Sequence, residues 1–102
     1  MRDDEAPIGM VQVAVGPDAV LVTLTGEIDT ELAEDLDDAA RMVRELGLPV
    51  MVDALGVTFI DSNGARFMSR CFIYGPLTVA ASPAARFLLL VLGMDEVLTG
   101  SH

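Results

Sequence analysis

Val57-Thr58-Phe59-Ile60-Asp61-Ser62-Asn63-Gly64 passes from a β-branched and aromatic run straight into polar residues suited to opening a helix. Phe67, Met68, Cys71 and Phe72 then recur at helical spacing until Tyr74-Gly75-Pro76 breaks the pattern. A strand that turns directly into a helix is the repeating unit of an α/β fold, and the flanking sequence continues it in both directions. Downstream, Leu77 to Ala81 reads as a strand, and Ser82-Pro83 joins a cap residue to a first-turn proline, opening a helix that runs through Leu92 and stops at Gly93. Upstream, Val50 to Val52 reads as a short buried strand that emerges at Asp53.

The N-terminal part begins differently. Ile8 to Val15 and Ala19 to Thr25 are rich in β-branched residues and flank Gly16-Pro17-Asp18, which predicts an antiparallel hairpin. Gly26 is expected to end the second strand, and Thr30 to cap the following helix, with Glu31 and Glu34 in its first turn where the helix dipole favours negative charge. Leu32, Leu36, Ala39, Ala40, Val43 and Leu46 give that helix one apolar face; Gly47 and Pro49 stop it. The succession predicts a mixed sheet of four to five strands, antiparallel in the hairpin and parallel through right-handed crossovers beyond it, with about three helices. Asp95 to His102 leaves room for at most one edge strand. Short connections without repeats or linkers predict one α/β domain over residues 1–102, with disordered ends at 1–6 and 99–102.

Composition narrows the chemistry. The chain has 102 residues, 52% of them hydrophobic and 22% charged, which suits a globular domain. Its six basic residues are all arginine, so it has no lysine for a Walker A loop or a Schiff base, and its one histidine is His102. These absences argue against a Ser-His-Asp triad and a histidine metal site; no cofactor and no metal are expected. Cys71, the sole cysteine, allows no internal disulfide, as in a reducing compartment. The apolar stretch Phe87 to Met94 is far shorter than the roughly 18 residues of a spanning helix, and the acidic Met1 to Glu5 is unlike a signal peptide, so a cytoplasmic protein without membrane insertion is expected. A net charge of −10 opposes nucleic-acid binding and favours an electropositive protein partner. Arg66 and Arg70 are the helix-spaced candidates for a basic patch, too few to argue for nucleic acid.

Ser62 is the residue with most to offer. It falls where a strand yields to a helix, near free backbone N–H groups, where a hydroxyl serves as an ordinary cap. The same geometry suits a phosphate ester, which would meet the positive helix end and add about −1.5 to −2 charges beside existing carboxylates. Glu27, Asp29, Glu31, Glu34, Asp35, Asp37 and Asp38 place seven carboxylates within twelve residues, as a solvated helix face or an electrostatic docking surface. Cys71 reads as a buried inert thiol on the apolar side of its helix with Phe67, Met68 and Phe72. Phe87 to Leu92 is apolar almost all round, either as core or as a seam for a partner or a second copy. His102 reads as a solvated terminus.

Thr25-Gly26-Glu27-Ile28-Asp29 with its acidic helix, the block Val57 to Gly64, and Ser82-Pro83 before the last helix together resemble the STAS family of anti-sigma factor antagonists and sulphate-transporter domains, over nearly the whole chain. The resemblance implies a non-enzymatic regulator that binds an anti-sigma factor, itself a serine kinase, and frees a sigma factor for transcription until the serine matching Ser62 is phosphorylated. It implies a partner surface comprising Asp29, Asp61, Ser62, Asn63, Gly64 and Arg66. The segment between Gly64 and Ser82 is shorter than the family leads one to expect, which ends the helix early, near Tyr74. That shortening and the Phe87 to Leu92 run motivate an alternative, a non-enzymatic STAS subunit of a lipid-transport ATPase or signalling scaffold. A homodimer is compatible with either. A third reading, nucleotide binding or weak hydrolysis, has no phosphate loop to support it.

Overall fold

The structure, a computed structural model, describes residues 8–99. The N-terminal hairpin closes where the Gly16 N–H donates to the Ala19 carbonyl at 2.9 Å, joining β1 (Gly9–Val15) to β2 (Val20–Ile28) in antiparallel register, Val15 opposite Val20 and Gly9 opposite Gly26. Gly26 does not end β2. It adopts φ +75°, a conformation that costs glycine little, and a Cβ there would collide with the Ile8 carbonyl oxygen. The pairing of β2 with β3 (Val50–Ile60) slips on both sides of this point, each time with one extra residue on β3, so the irregularity lies in β3 while β2 runs on through the glycine to Ile28.

Helix α1 (Ala33–Leu46) starts later than its sequence suggests. Asp29, not Thr30, supplies the cap: its carboxylate accepts from the Glu31 N–H at 3.1 Å and opens a 3-10 turn, Thr30–Leu32, that feeds into α1. Asp29 is extended and Thr30 is already helical, so only the former has the backbone of a capping residue. Leu36, Ala39, Ala40 and Val43 are buried as the periodicity predicts, whereas Leu32 is half-buried and Leu46 is exposed. Gly47, at φ 66°, closes the helix in the left-handed conformation.

Val50 to Val52 and Val57 to Ile60 are not separate segments but parts of the single eleven-residue β3. Asp53 does not mark an emerging end. Strand alternation turns it to the face opposite Val52 and Ala54, where its carboxylate accepts from the Leu55 N–H at 3.1 Å. β3 pairs in parallel with β2 on one side and with β4 (Leu77–Ala81) on the other, giving the sheet order β1-β2-β3-β4. Among the described residues the tail adds to this edge only a lone parallel bridge from Leu98 to Val79, with the Thr99 N–H donating to the Val79 carbonyl at 2.9 Å. Thr99 is thus tied to the sheet; the other expectations for the chain ends, including those for Met1–Glu5 and His102, lie outside the described residues.

Helices α2 (Ser62–Tyr74) and α3 (Pro83–Val91) end where expected, the former at Tyr74 and the latter one residue short of Leu92, which forms its C-cap. The Ser82 hydroxyl accepts from the Ala85 N–H at 3.2 Å, so Ser82 and Pro83 open α3 as predicted. One core joins Val20, Val22, Leu24, Val50, Val52, Ala54 and Val79 of the sheet to residues of all three helices, while the alternate residues Leu21, Met51 and Leu55 stay exposed. The sheet therefore has a helix-covered face and an open one.

Gly64 sets how closely α2 approaches the sheet. A Cβ at this position would strike Cγ1 of Ile60, lie 2.5 Å from its Cδ1, and crowd Cγ2 of Ile28 at 3.3 Å. Gly64→Ala gains up to about 1 kcal/mol of helix propensity but overpacks a site with no slack, so a net loss of about 1–2 kcal/mol is expected in urea unfolding. An unchanged midpoint would show that the turn shifts freely.

Cys71 is fully buried, with Phe67 and Met68 beside it; Phe72, expected on the same side, is 41% exposed because it falls round the helix from the core. Burial pushes the Cys71 thiol up from its ordinary value near 9 to about 12. In the native protein at pH 8 the thiol is expected to alkylate roughly a thousandfold more slowly than in the unfolded chain. Because the unfolded thiol ionises first, this group lowers stability as pH rises above about 9, measurable as a falling unfolding midpoint that Cys71→Ala relieves.

Candidate functional site

Parallel pairing brings the ends of β2 and β3 together: Ile28 lies opposite Ile60, and the two strands release Asp29 and Asp61 side by side at the carboxyl edge of the sheet. The Asp61 N–H donates back to the Ile28 carbonyl at 3.1 Å, which joins the two loops at their root. Each aspartate then makes the same local structure. Asp29 accepts from the N–H two residues on at 3.1 Å, and Asp61 accepts from the Asn63 N–H at 2.8 Å.

Asp61 is therefore the N-cap of α2, not Ser62. The sequence allows either, since both residue types cap well, but the shorter reach from a carboxylate held in extended backbone decides it. Ser62 becomes the first helical residue and is exposed, so its hydroxyl is not used by the helix it begins and stands at the surface. Asn63 is half-buried and spans the gap between the loops: its Nδ2 donates to Thr30 Oγ1 and to Asp61 Oδ2, both at 3.4 Å. These long bonds align the acidic Asp29 loop with the start of α2, a link between residues 33 apart that no local pattern reveals.

Two hollows flank this edge. A cleft of about 90 Å³ between α1 and α2 is lined by Asp37, Asn63, Arg66, Phe67 and Arg70. Arg70 crosses it, bonding Asp37 through Nη1 at 2.8 Å and donating from Nε to the Tyr74 hydroxyl at 3.4 Å. The Tyr74 hydroxyl and then the Asp37 carboxylate hold the guanidinium above its ordinary value against partial desolvation, so Arg70 stays charged and braces α2 on α1. Arg66, one helical turn on from Ser62, is exposed, and no described carboxylate lies within ion-pair distance of it. The two arginines line the same cleft but differ in use: Arg70 is held by Asp37, and Arg66 has no ion-pair partner among the described residues.

On the other side, a groove of about 300 Å³ is lined by Ile8, Gly9, Glu27, Asp29, Glu31 and Leu32. Its apolar floor and three carboxylates suit a basic side chain from another molecule. The hairpin's first residues form one wall, a contribution the sequence alone did not reveal because it depends on Gly9 pairing with Gly26. The remaining acidic residues Glu34, Asp35, Asp37 and Asp38 are exposed along α1, and Asp38 bonds Arg41 at 2.9 Å, a surface pair worth about 0.2–1 kcal/mol.

Ser62, Asp61, Asn63, Gly64 and Asp29 are thus gathered at one edge, with Arg66 just beyond. Among the described residues no group of three or more His, Cys, Asp or Glu is arranged to hold a metal ion. None of the described helices is long and apolar enough to cross a membrane.

No family model and no curated protein matches this sequence. Solved structures do resemble it. An anti-sigma factor antagonist from Mycobacterium paratuberculosis superimposes with a TM-score of 0.78 at 25% identity, covering 94% of this chain and 90% of that one. The anti-sigma factor antagonist SpoIIAA in its unphosphorylated form gives 0.70 at 16% identity, covering 91% and 89%. The phosphorylated form of SpoIIAA, a Bacillus cell fate determinant, also gives 0.70, at 19% identity and covering 91% and 92%. The chain has the STAS fold, and the neighbours that share it are anti-sigma factor antagonists.

Proposed function

We propose that this protein is an anti-sigma factor antagonist that docks on an anti-sigma factor kinase through the Ser62 edge and is released when Ser62 is phosphorylated. The observation that carries the reading is the exposed hydroxyl of Ser62 at the first position of α2, bordered by the Asp29 loop that Asn63 holds in place. SpoIIAA, which shares the fold, occurs in both unphosphorylated and phosphorylated forms, and this supports a serine switch on the same scaffold.

The mechanism follows from charge. Before modification, Asp61, Asp29, Glu31 and the carboxylates of α1 attract a basic surface, which speeds encounter and fixes orientation. A phosphate on Ser62 is accommodated by the positive end of α2 without unfolding. It adds about −1.5 to −2 charges at the centre of the contact, where they are desolvated and without a matching cation in the partner. Asp61, Asn63 and Gly64 shape the acceptor turn, Asp29 contributes to the docking loop, and Arg66 lies at its border. Regulation of sigma-factor-dependent transcription then follows from sequestration of the anti-sigma factor, and the chain itself catalyses nothing.

Incubated with its anti-sigma factor kinase and ATP, the protein is expected to gain one phosphate, located at Ser62 by mass spectrometry and lost in Ser62→Ala. Phosphate on another residue refutes the assignment. In calorimetric titration with the same partner, Ser62→Ala is expected to bind within about twofold of the native protein and Ser62→Glu at least about tenfold more weakly, because added charge, not a missing hydroxyl, opposes docking. Equal affinity of the two variants would rule out the electrostatic switch.

A further inference from the structure

Helix α3 is apolar on both sides. Ala85 and Leu89 are fully buried against the sheet, and Phe87, Leu90 and Val91, which fall on the opposite side at the spacing of one helical face, are 68%, 51% and 67% exposed. A surface helix ordinarily turns charged or polar residues to water, and a helix apolar all round ordinarily lies inside a protein or an interface. Next to it, the Ser69 hydroxyl of α2 lies 4.0 Å from the Met94 sulfur, which sets that side of α2 alongside the end of α3. Phe72 and Ile73, three and four residues beyond Ser69, are 41% and 76% exposed. The five side chains offer on the order of 500 Å² of apolar surface, near the upper end of what a monomer shows.

Charge says what kind of surface covers it. Of the sixteen carboxylates in the chain, none lies between Ser62 and Met94, a run of 33 residues whose only charged side chains are Arg66, Arg70 and Arg86. The acidic run lies on the loop before α1 and on α1 itself, on the flank of α2 that Arg70 bridges to Asp37. Two copies of a chain with a net charge of −10 repel one another if they approach through α1. Through the outer face of α3 they meet across a helix that carries no carboxylate of its own, the nearest in sequence being the exposed Asp95 and Glu96 just past Met94.

We infer that the outer face of α3, flanked by the end of α2, is a self-association surface at which a second copy of this chain packs Phe87, Leu90 and Val91 against their counterparts in a symmetric dimer. About 500 Å² from each copy gives roughly 1,000 Å² in total, at the lower end of specific interfaces, so the dimer is weak and concentration-dependent. The surface is separate from the Ser62 edge, and the inference does not depend on the function proposed for that edge.

Sedimentation equilibrium of the full chain from about 10 μM to 1 mM, at low and high sodium chloride, tests it. The expected result is a monomer that shifts toward twice its mass as concentration rises. Association should strengthen with salt, because screening removes the long-range repulsion between two acidic molecules while leaving apolar contact intact. Val91→Glu, at a position two-thirds exposed and so harmless to the fold, should weaken dimerisation at least about tenfold, and Val91→Ser by less, both with an unchanged circular dichroism spectrum. A monomer throughout this range overturns the inference. So does a dimer that salt dissociates, the sign of acidic α1 docking on arginines, or one that Val91→Glu leaves intact.

Discussion

Everything at the candidate site depends on the parallel pairing of β2 with β3, which sets Ile28 beside Ile60 and so starts two acidic loops from the same point on the sheet edge. The bond from the Asp61 N–H to the Ile28 carbonyl finishes the ladder and leaves each aspartate free to organise the turn after it. Were the register one residue different, side-chain alternation would turn every buried residue of the strand outward. The burial of Val50, Val52 and Ala54 on one face is therefore what holds Ser62 in its place, far from any contact that Ser62 makes itself.

Two glycines make this arrangement possible in different ways. Gly26 takes the positive φ that lets β2 pass close to the Ile8 carbonyl and run on to Ile28, so that Asp29 leaves at the edge where β3 ends. Gly64 removes the one Cβ that would hold the first turn of α2 off Ile60 and Ile28. The motif Asp61-Ser62-Asn63-Gly64 thus combines a cap, an exposed hydroxyl, a tether to the neighbouring loop and a close-packing residue. Among the described residues only the hydroxyl of Ser62 in this motif has no partner, and it is exposed at the first position of α2.

The molecule is also divided electrically. Fourteen of its sixteen carboxylates lie in the N-terminal part through Asp61, α2, β4 and α3 contain none, and Asp95 and Glu96 follow α3. The acidic side suits a basic partner, and the apolar face of α3 suits contact with a surface that does not bring carboxylates against it. Arg70 stands at the boundary, bridging to Asp37 and so binding the two halves together across the cleft between α1 and α2.

Element order, the hairpin, the three helices and their stops were legible because they rest on local chemistry: the turn at Gly16-Pro17-Asp18, the apolar spacing of α1, and the cap and proline at Ser82-Pro83. The burial of Cys71 and the placing of Ser62 at a strand-to-helix junction were legible for the same reason. Where β2 and β3 end was not, since Gly26 and Asp53 look like terminators until a partner strand supplies the bonds that carry the chain past them. Nor was the choice of Asp29 and Asp61 as caps over Thr30 and Ser62, because neighbouring residues of equal capping aptitude are separated only by the backbone that tertiary packing imposes. The sequence alone determined which residues have the chemistry of a switch and of an acidic docking face. The tertiary structure decided which of them meet, because contacts between residues 33 apart, as from Asn63 to Thr30, come from strand register and not from any local preference.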